Sequence, residues 1–248
     1  MNVEILPNAK ELGKAAAVFC SRLLKQVMEE KGSARIVLST GASQFDTLDA
    51  LTQTDVDWTR VEMFHLDEYI GLEEKHPASF RKYLKERFVE RVPLKKGHFV
   101  NGERNVQEHI ETLTREIRRE PIDLALIGIG ENAHIAFNDP PANFDTKDAF
   151  IVVDLAERCK KQQVGEGWFA SLEEVPKKAI SMTVHQIMQS RVIVSCVPYQ
   201  VKADAIRALF QHETTNQVPA TILKTHPEFH LFLDEESASK IDRKLIRE

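Results

Sequence analysis

Gly128-Ile129-Gly130-Glu131-Asn132-Ala133-His134-Ile135-Ala136-Phe137-Asn138-Asp139-Pro140-Pro141 is the stretch whose reading decides the fold. It follows Ile122-Asp123-Leu124-Ala125-Leu126-Ile127, a short apolar run that reads as a buried strand. Two glycines let the chain turn sharply and come close to a ligand. Asn132, His134 and Asp139, an amide, an imidazole and a carboxylate, follow within the same loop. Pro140-Pro141 rules out a regular helix there. A glycine-bearing loop at the carboxyl end of a strand is where an open α/β sheet holds its ligand. Taken alone, a loop histidine is more often a packing residue than an acid or base. Gly128-x-Gly130-x-x-Ala133 also fits the glycine spacing of a dinucleotide turn, with Asp154 about 20 residues further on. That reading fails on context: the turn must open a helix, and Asn138-Asp139-Pro140-Pro141 breaks one.

Two other loops share this form. Ala34-Arg35-Ile36-Val37-Leu38-Ser39 reads as a strand covered on both faces, and Thr40-Gly41-Ala42-Ser43 leads into a helix beginning near residue 43 or 44. A strand, a glycine turn and a helix start together make a ready anion site, because the first helical N–H groups lack partners. A helix cap on Ser43 explains the turn equally well. Val61-Glu62-Met63-Phe64-His65-Leu66 is a further strand and runs into Asp67-Glu68-Tyr69. Adjacent side chains on extended backbone point to opposite faces, so only one of the two carboxylates can enter a cleft. A solvated turn is the simpler reading of that pair alone.

Elsewhere the pattern alternates. Apolar residues Leu12, Ala16, Phe19, Leu23 and Val27 form one helical stripe over residues 9–30, stopped at Lys31-Gly32. Helices carry Phe80, Tyr83, Leu84 and Phe88, then Val106, Ile110, Leu113 and Ile117. Strands are read at 3–6, 150–153, 179–184, 192–197 and 228–233, with helices from residue 202 and over 219–225 and a charged helical tail. Residues 142–176 read as polar and irregular around their strand, which suggests a flap. Such alternation implies one domain over residues 1–248, α/β in class, with a doubly wound, mostly parallel sheet and helices on both faces. The loops after Leu38, Leu66 and Ile127 then share one edge of the sheet. Their combination points to a phosphorylated substrate held by its phosphate, with acid/base groups further along it.

Composition narrows the classes. No apolar run approaches the roughly 20 residues a membrane helix needs. The first residues lack the basic and apolar regions of a signal peptide. Cys20, Cys159 and Cys196 are odd in number and far apart, which fits reduced thiols in a cytoplasmic protein rather than a disulfide framework or a zinc site. The net charge of −5 comes with no basic block to recruit nucleic acid. Monomer and homo-oligomer both stay open.

Four motifs in order resemble the glucosamine-6-phosphate deaminase family: Leu38-Ser39-Thr40-Gly41-Ala42-Ser43, Phe64-His65-Leu66-Asp67-Glu68-Tyr69-Ile70-Gly71, His76-Pro77-Ala78-Ser79-Phe80, and the opening stretch as far as Pro140. A late Lys202 extends the match over nearly the whole chain. The resemblance implies a Rossmann-like fold shared with 6-phosphogluconolactonase. It also implies conversion of glucosamine 6-phosphate and water to fructose 6-phosphate and ammonia, with no cofactor and no metal. By motif position, Asp67 is similar to the enolisation base, His134 to the residue that opens the pyranose ring, and Asn132 and Asp139 to its polar partners. Thr40, Gly41, Ala42, Ser43 and Lys202 match the phosphate site, and Glu68 falls among the substrate-binding positions. An imidazole suits ring opening because it both gives and takes a proton near neutral pH.

The sequence departs from the family at four places. Asp139 stands where a Glu is usual, Asn132 where many members have Asp, and Ala42 where a Ser is common. The flap arginine has no match between Lys160 and Trp168. These departures bear on the sugar more than on the reaction. A galactosamine 6-phosphate isomerase, then a 6-phosphogluconolactonase, then a non-catalytic sugar-phosphate binder are the alternatives.

Overall fold

The structure, a computed structural model, describes residues 1–103 and 105–242. Its strands and helices run in chain order: β1 (Asn2–Leu6), α1 (Ala9–Lys31), β2 (Ala34–Leu38), α2 (Phe45–Thr52), β3 (Val61–His65), β4 (Asp67–Tyr69), α3 (Phe80–Leu84), β5 (Lys96–His98) and α4 (Val106–Arg118). Then follow β6 (Leu124–Leu126), β7 (Phe150–Asp154), α5 (Glu157–Gly165), β8 (Lys178–Met182), α6 (Val184–Met188), β9 (Val192–Val197), α7 (Ala203–Gln211) and β10 (Phe229–Asp234).

Local chemistry sets the ends of the long helix. Asn8 caps α1 by accepting from the Glu11 N–H at 3.0 Å. Gly32 ends it in the left-handed region at φ 84°, its N–H returning to the Met28 carbonyl.

Seven parallel strands form the main sheet in the order β1-β10-β9-β6-β2-β3-β5. Every residue of β2 and of β9 is buried, which is why those runs are apolar but for Arg35 and Ser195. Alternate side chains feed two cores: Ile36 and Leu38 pack with α1 and α2, whereas Val37 and Phe64 pack with α4, α6 and α7. From β2 the chain winds outward through β3 and β5; from β6 it winds the other way through β9 and β10. The junction of β2 and β6 is therefore the switch point, and the crevice beyond its carboxyl ends is the expected ligand site.

One sheet was expected, and a second is present. β4, β8 and β7 form a three-stranded antiparallel sheet. Asp67-Glu68-Tyr69 is thus not a solvated turn but a buried strand, with Asp67 opposite Ser181. The segment 142–176, read as a flap around a strand, holds that strand as β7, paired along its length with β8, and adds helix α5. β5 carries no alternating pattern and was not expected. The charged tail, expected to be helical, forms turns from residue 235 to 240, and residues 243–248 lie outside the described range. Among the described residues no helix is long and apolar enough to cross a membrane.

Gly13 sets the distance between α1 and α2. A Cβ there would lie 2.6 Å from the Asp46 carbonyl carbon and 2.8 Å from the Thr47 nitrogen, both backbone atoms that cannot rotate away. Gly13→Ala should destabilise the protein by about 1–3 kcal/mol, the usual cost of overpacking. A denaturation midpoint equal to wild type would contradict this packing.

Candidate active site

The three loops meet around one cavity of about 590 Å³ at the carboxyl edge of the parallel sheet. Thr40, Gly41, Ala42, Ser43, Asp67, His134 and Lys202 all line it. Asn132 and Asp139 stand behind His134. Glu68 does not reach it.

The turn after β2 is open on its cavity side. Gly41 takes φ 104°, a conformation that needs glycine, and nothing lies within 4 Å of where its Cβ would be. A single 3₁₀ turn, Ala42–Gln44, leads into α2, and neither segment has a side-chain cap. Ser43 is not a helix cap: its Oγ accepts from Gln44 Nε2 at 3.0 Å, and that amide also donates to the Cys196 carbonyl. Uncapped N–H groups at a helix start favour an anion.

Asp67 and Glu68 divide as alternation requires. Glu68, fully buried, accepts from Ser79 Oγ at 2.8 Å, from the Arg81 N–H at 2.9 Å and from Arg81 Nε at 3.2 Å. Its expected part in substrate binding is corrected to an anchoring one: it ties β4 to α3. Asp67 faces the cavity, and no side chain among the described residues bonds its carboxyl. Burial, then the neighbouring Glu68 charge, push that carboxyl up to about 8.

The opening stretch folds back on itself instead of starting a helix. Gly130 N–H donates to the His134 carbonyl and Ala133 N–H to the Gly130 carbonyl, both at 2.9 Å. Ala133 and Ala136 take positive φ of 63° and 49°. That geometry excludes the dinucleotide turn. It also aligns three polar groups. Asn132 Nδ2 donates to Asp139 Oδ1 at 2.9 Å, so its Oδ1 is the end that meets His134 Nδ1, at 2.5 Å. Asp139 Oδ1 lies 3.3 Å from the same ring nitrogen. With Nδ1 engaged as a donor, Nε2 is the nitrogen left for a substrate. Burial opposes charge on Asp139, but bonds from His134, Asn132 and the Ala156 N–H at the start of α5 outweigh it and hold the carboxyl below its usual range.

Asn138, not singled out in the sequence, joins the two acid/base loops. Its Nδ2 donates to the Met182 carbonyl at 2.9 Å, and the Phe137 N–H donates to Ser181 Oγ at 3.1 Å. Ser181 is the residue opposite Asp67. The His134 loop and the Asp67 strand are thereby fixed to the same β8.

α5 brings two cations to the cavity. Arg158 and Lys161 line the cavity and are in no ion pair among the described residues. Arg158 lies two positions before the Lys160–Trp168 stretch, which holds no arginine. The signal was the spacing of three between Arg158 and Lys161, which puts both on one helix face. α5 is held to the catalytic strand by Tyr69, whose hydroxyl donates to Gln163 Oε1 at 2.8 Å. Across the cavity, burial lowers the pKa of Lys202, partly offset by Glu166 and Glu131. Among the described residues no three His, Cys, Asp or Glu side chains gather as metal ligands do.

Comparison with known proteins agrees with this geometry. Residues 7–231 match the family model for glucosamine-6-phosphate isomerases/6-phosphogluconolactonase. A glucosamine-6-phosphate deaminase of Thermoanaerobacter pseudethanolicus is 34% identical over 100% of this chain and 98% of its own. One from Oenococcus oeni is 31% identical over 98% of this chain and 100% of its own. A solved monomeric glucosamine-6-phosphate deaminase superposes with a TM-score of 0.90 at 28% identity, covering 97% of this chain and 100% of that one. The 6-phosphogluconolactonase of Trypanosoma brucei shares the fold, with a TM-score of 0.78 at 14% identity over 97% and 98% of the two chains.

Proposed function

The chain belongs to the family of glucosamine-6-phosphate isomerases and 6-phosphogluconolactonases, and within it we propose that the protein converts glucosamine 6-phosphate and water to fructose 6-phosphate and ammonia. The observation that carries this reading is one cavity holding an unpaired carboxyl, Asp67, and an oriented imidazole, His134, beside an anion turn. A lactonase has no need of a base that moves a proton between carbons.

The phosphate sits on the Thr40-Gly41-Ala42-Ser43 turn, faced by Lys202, Arg158 and Lys161. His134 Nε2 takes the proton of the anomeric hydroxyl and returns one to the ring oxygen, which opens the pyranose. Asn132 and Asp139 hold the ring for that exchange. Asp67 then takes the proton from carbon 2 while oxygen 1 takes up a proton, leaving an enolamine. Asp67 delivers its proton to carbon 1 as the nitrogen lone pair forms an iminium at carbon 2. Water adds there, ammonia leaves, and the proton released in that hydrolysis offsets the one taken up by oxygen 1, so Asp67 and His134 end as they began.

Ammonia release from glucosamine 6-phosphate, with galactosamine 6-phosphate and 6-phosphogluconolactone run alongside, tests the proposal. Release from glucosamine 6-phosphate supports it, and hydrolysis of the lactone alone sinks it. Asp67 must be ionised to act, so kcat/KM should climb with pH until about 8 and then level. A profile flat from about pH 7 to about pH 9, about one unit on either side of that value, would assign the base elsewhere. Arg158→Ala should raise KM about tenfold with little effect on kcat, the scale of one charge-assisted bond to phosphate. Added salt should shrink the difference, because Arg158 is exposed. An unchanged KM would place the phosphate out of its reach.

A further inference from the structure

Tyr199 occupies a backbone conformation that suits only glycine. Its φ is 79° and its ψ 144°, outside the left-handed region that Asn105 occupies. A bulky residue there is strained, and such strain persists only where the surroundings impose it. They do so here. The Tyr199 N–H donates to Asp234 Oδ2 at 3.0 Å, and the other oxygen of that buried carboxylate accepts from the Ser237 N–H at 2.8 Å. The next N–H, of Gln200, donates to Glu236 at 3.2 Å.

The strained residue has a definite position. It opens the single turn Gln200–Lys202, which delivers the buried Lys202 ammonium to the cavity. Its side chain lines the cavity. Its hydroxyl faces the Asp46 carboxylate, in the first turn of α2 just beyond the anion turn. Burial, then the Asp46 and Asp234 carboxylates, push the phenol up and keep it a donor. Tyr199 therefore bridges the two segments that would hold a phosphate. Glycine would serve the backbone here without strain, so what sets tyrosine apart at this position is its side chain.

We propose that Tyr199 is a binding determinant at the anion end of the cavity, its ring forming a wall of the phosphate pocket and its hydroxyl locking the Lys202 turn against the Thr40-Gly41-Ala42-Ser43 turn. The proposal rests on the phosphate reading given above but not on the identity of the sugar.

Three variants test it. Tyr199→Gly and Tyr199→Ala should both raise KM for glucosamine 6-phosphate about tenfold while kcat stays within about twofold, the mark of lost binding shared by ground and transition states. Tyr199→Phe keeps the ring and loses only the hydroxyl that faces Asp46, so its KM should rise about threefold. The glycine variant should melt above the alanine variant, since only it relieves the backbone. Thermal shift with inorganic phosphate serves as a second readout, and both truncations should need about ten times more phosphate for the same stabilisation. KM and phosphate response unchanged in both truncations would overturn the proposal, as would a glycine variant no more stable than the alanine one. A wild-type protein that releases no ammonia yet is stabilised by phosphate would defeat the sugar assignment alone, and the phosphate series would still decide Tyr199.

Discussion

Asp67→Asn is expected to lower kcat for ammonia release by a factor of about 10² to 10⁴, the range a positioned general base commands. The amide keeps the shape of the side chain but cannot take the proton from carbon 2. KM should change little, because Asp67 lines the cavity without being one of the cations that face the phosphate. The same substitution should also stabilise the protein. Burial and Glu68 hold the folded carboxyl at about 8, whereas an unfolded aspartate titrates near 3.9. Between those values the native state binds more protons than the unfolded one, so this group erodes stability as pH rises. Asparagine carries no such penalty. The melting temperature of the variant should therefore exceed that of wild type by a margin that opens above about pH 4 and stops growing beyond about pH 8. A variant that melts below wild type at pH 8, a pH chosen to match the carboxyl's own titration, would show the carboxyl is welcomed ionised and is not the raised base described here.

Gly130→Ala should cost about 100-fold in kcat while leaving the fold intact, the scale on which small misplacements of catalytic groups are felt. The Gly130 backbone is not among those with positive φ, so alanine fits its conformation. The new Cβ, however, would lie within 2.5 Å of three atoms of the His134 ring. The imidazole must rotate away, and it then loses Asn132 Oδ1 and Asp139 together. His134 is partly exposed to the cavity, so the ring has somewhere to go and the core is untouched. Full activity in this variant would mean that His134 need not sit where the loop holds it. The glycine is thus required for the space beside an imidazole, not for an unusual turn.

The Gly128–Pro141 loop and the anion turn were legible in the sequence because each follows an apolar strand, and parallel strands bring their ends to one edge. β2, β3 and β9 were legible because full burial demands mostly apolar residues, even where Arg35, Glu62, His65 and Ser195 interrupt them. β4 was hidden because its stability comes from distant partners of Glu68, Ser79 and Arg81, which no local pattern reveals. Of the two adjacent carboxylates, sequence could not say which face each would take. α5 was hidden because one of its faces meets a polar cavity through Arg158, Lys161 and Gln162, which dilutes the apolar stripe that marks an ordinary helix. Tyr199 was hidden for a different reason. Its distinction lies in the backbone, and side-chain periodicity carries no record of φ.

Turnover of glucosamine 6-phosphate in heavy water, followed by proton NMR together with an ammonia assay, tests the central claim most directly. The expected result is loss of the carbon 2 proton signal at the rate at which ammonia and fructose 6-phosphate appear, with both processes slowed together in Asp67→Asn. Ammonia formed while the carbon 2 proton persists, or no ammonia at all beside rapid hydrolysis of 6-phosphogluconolactone, would contradict it.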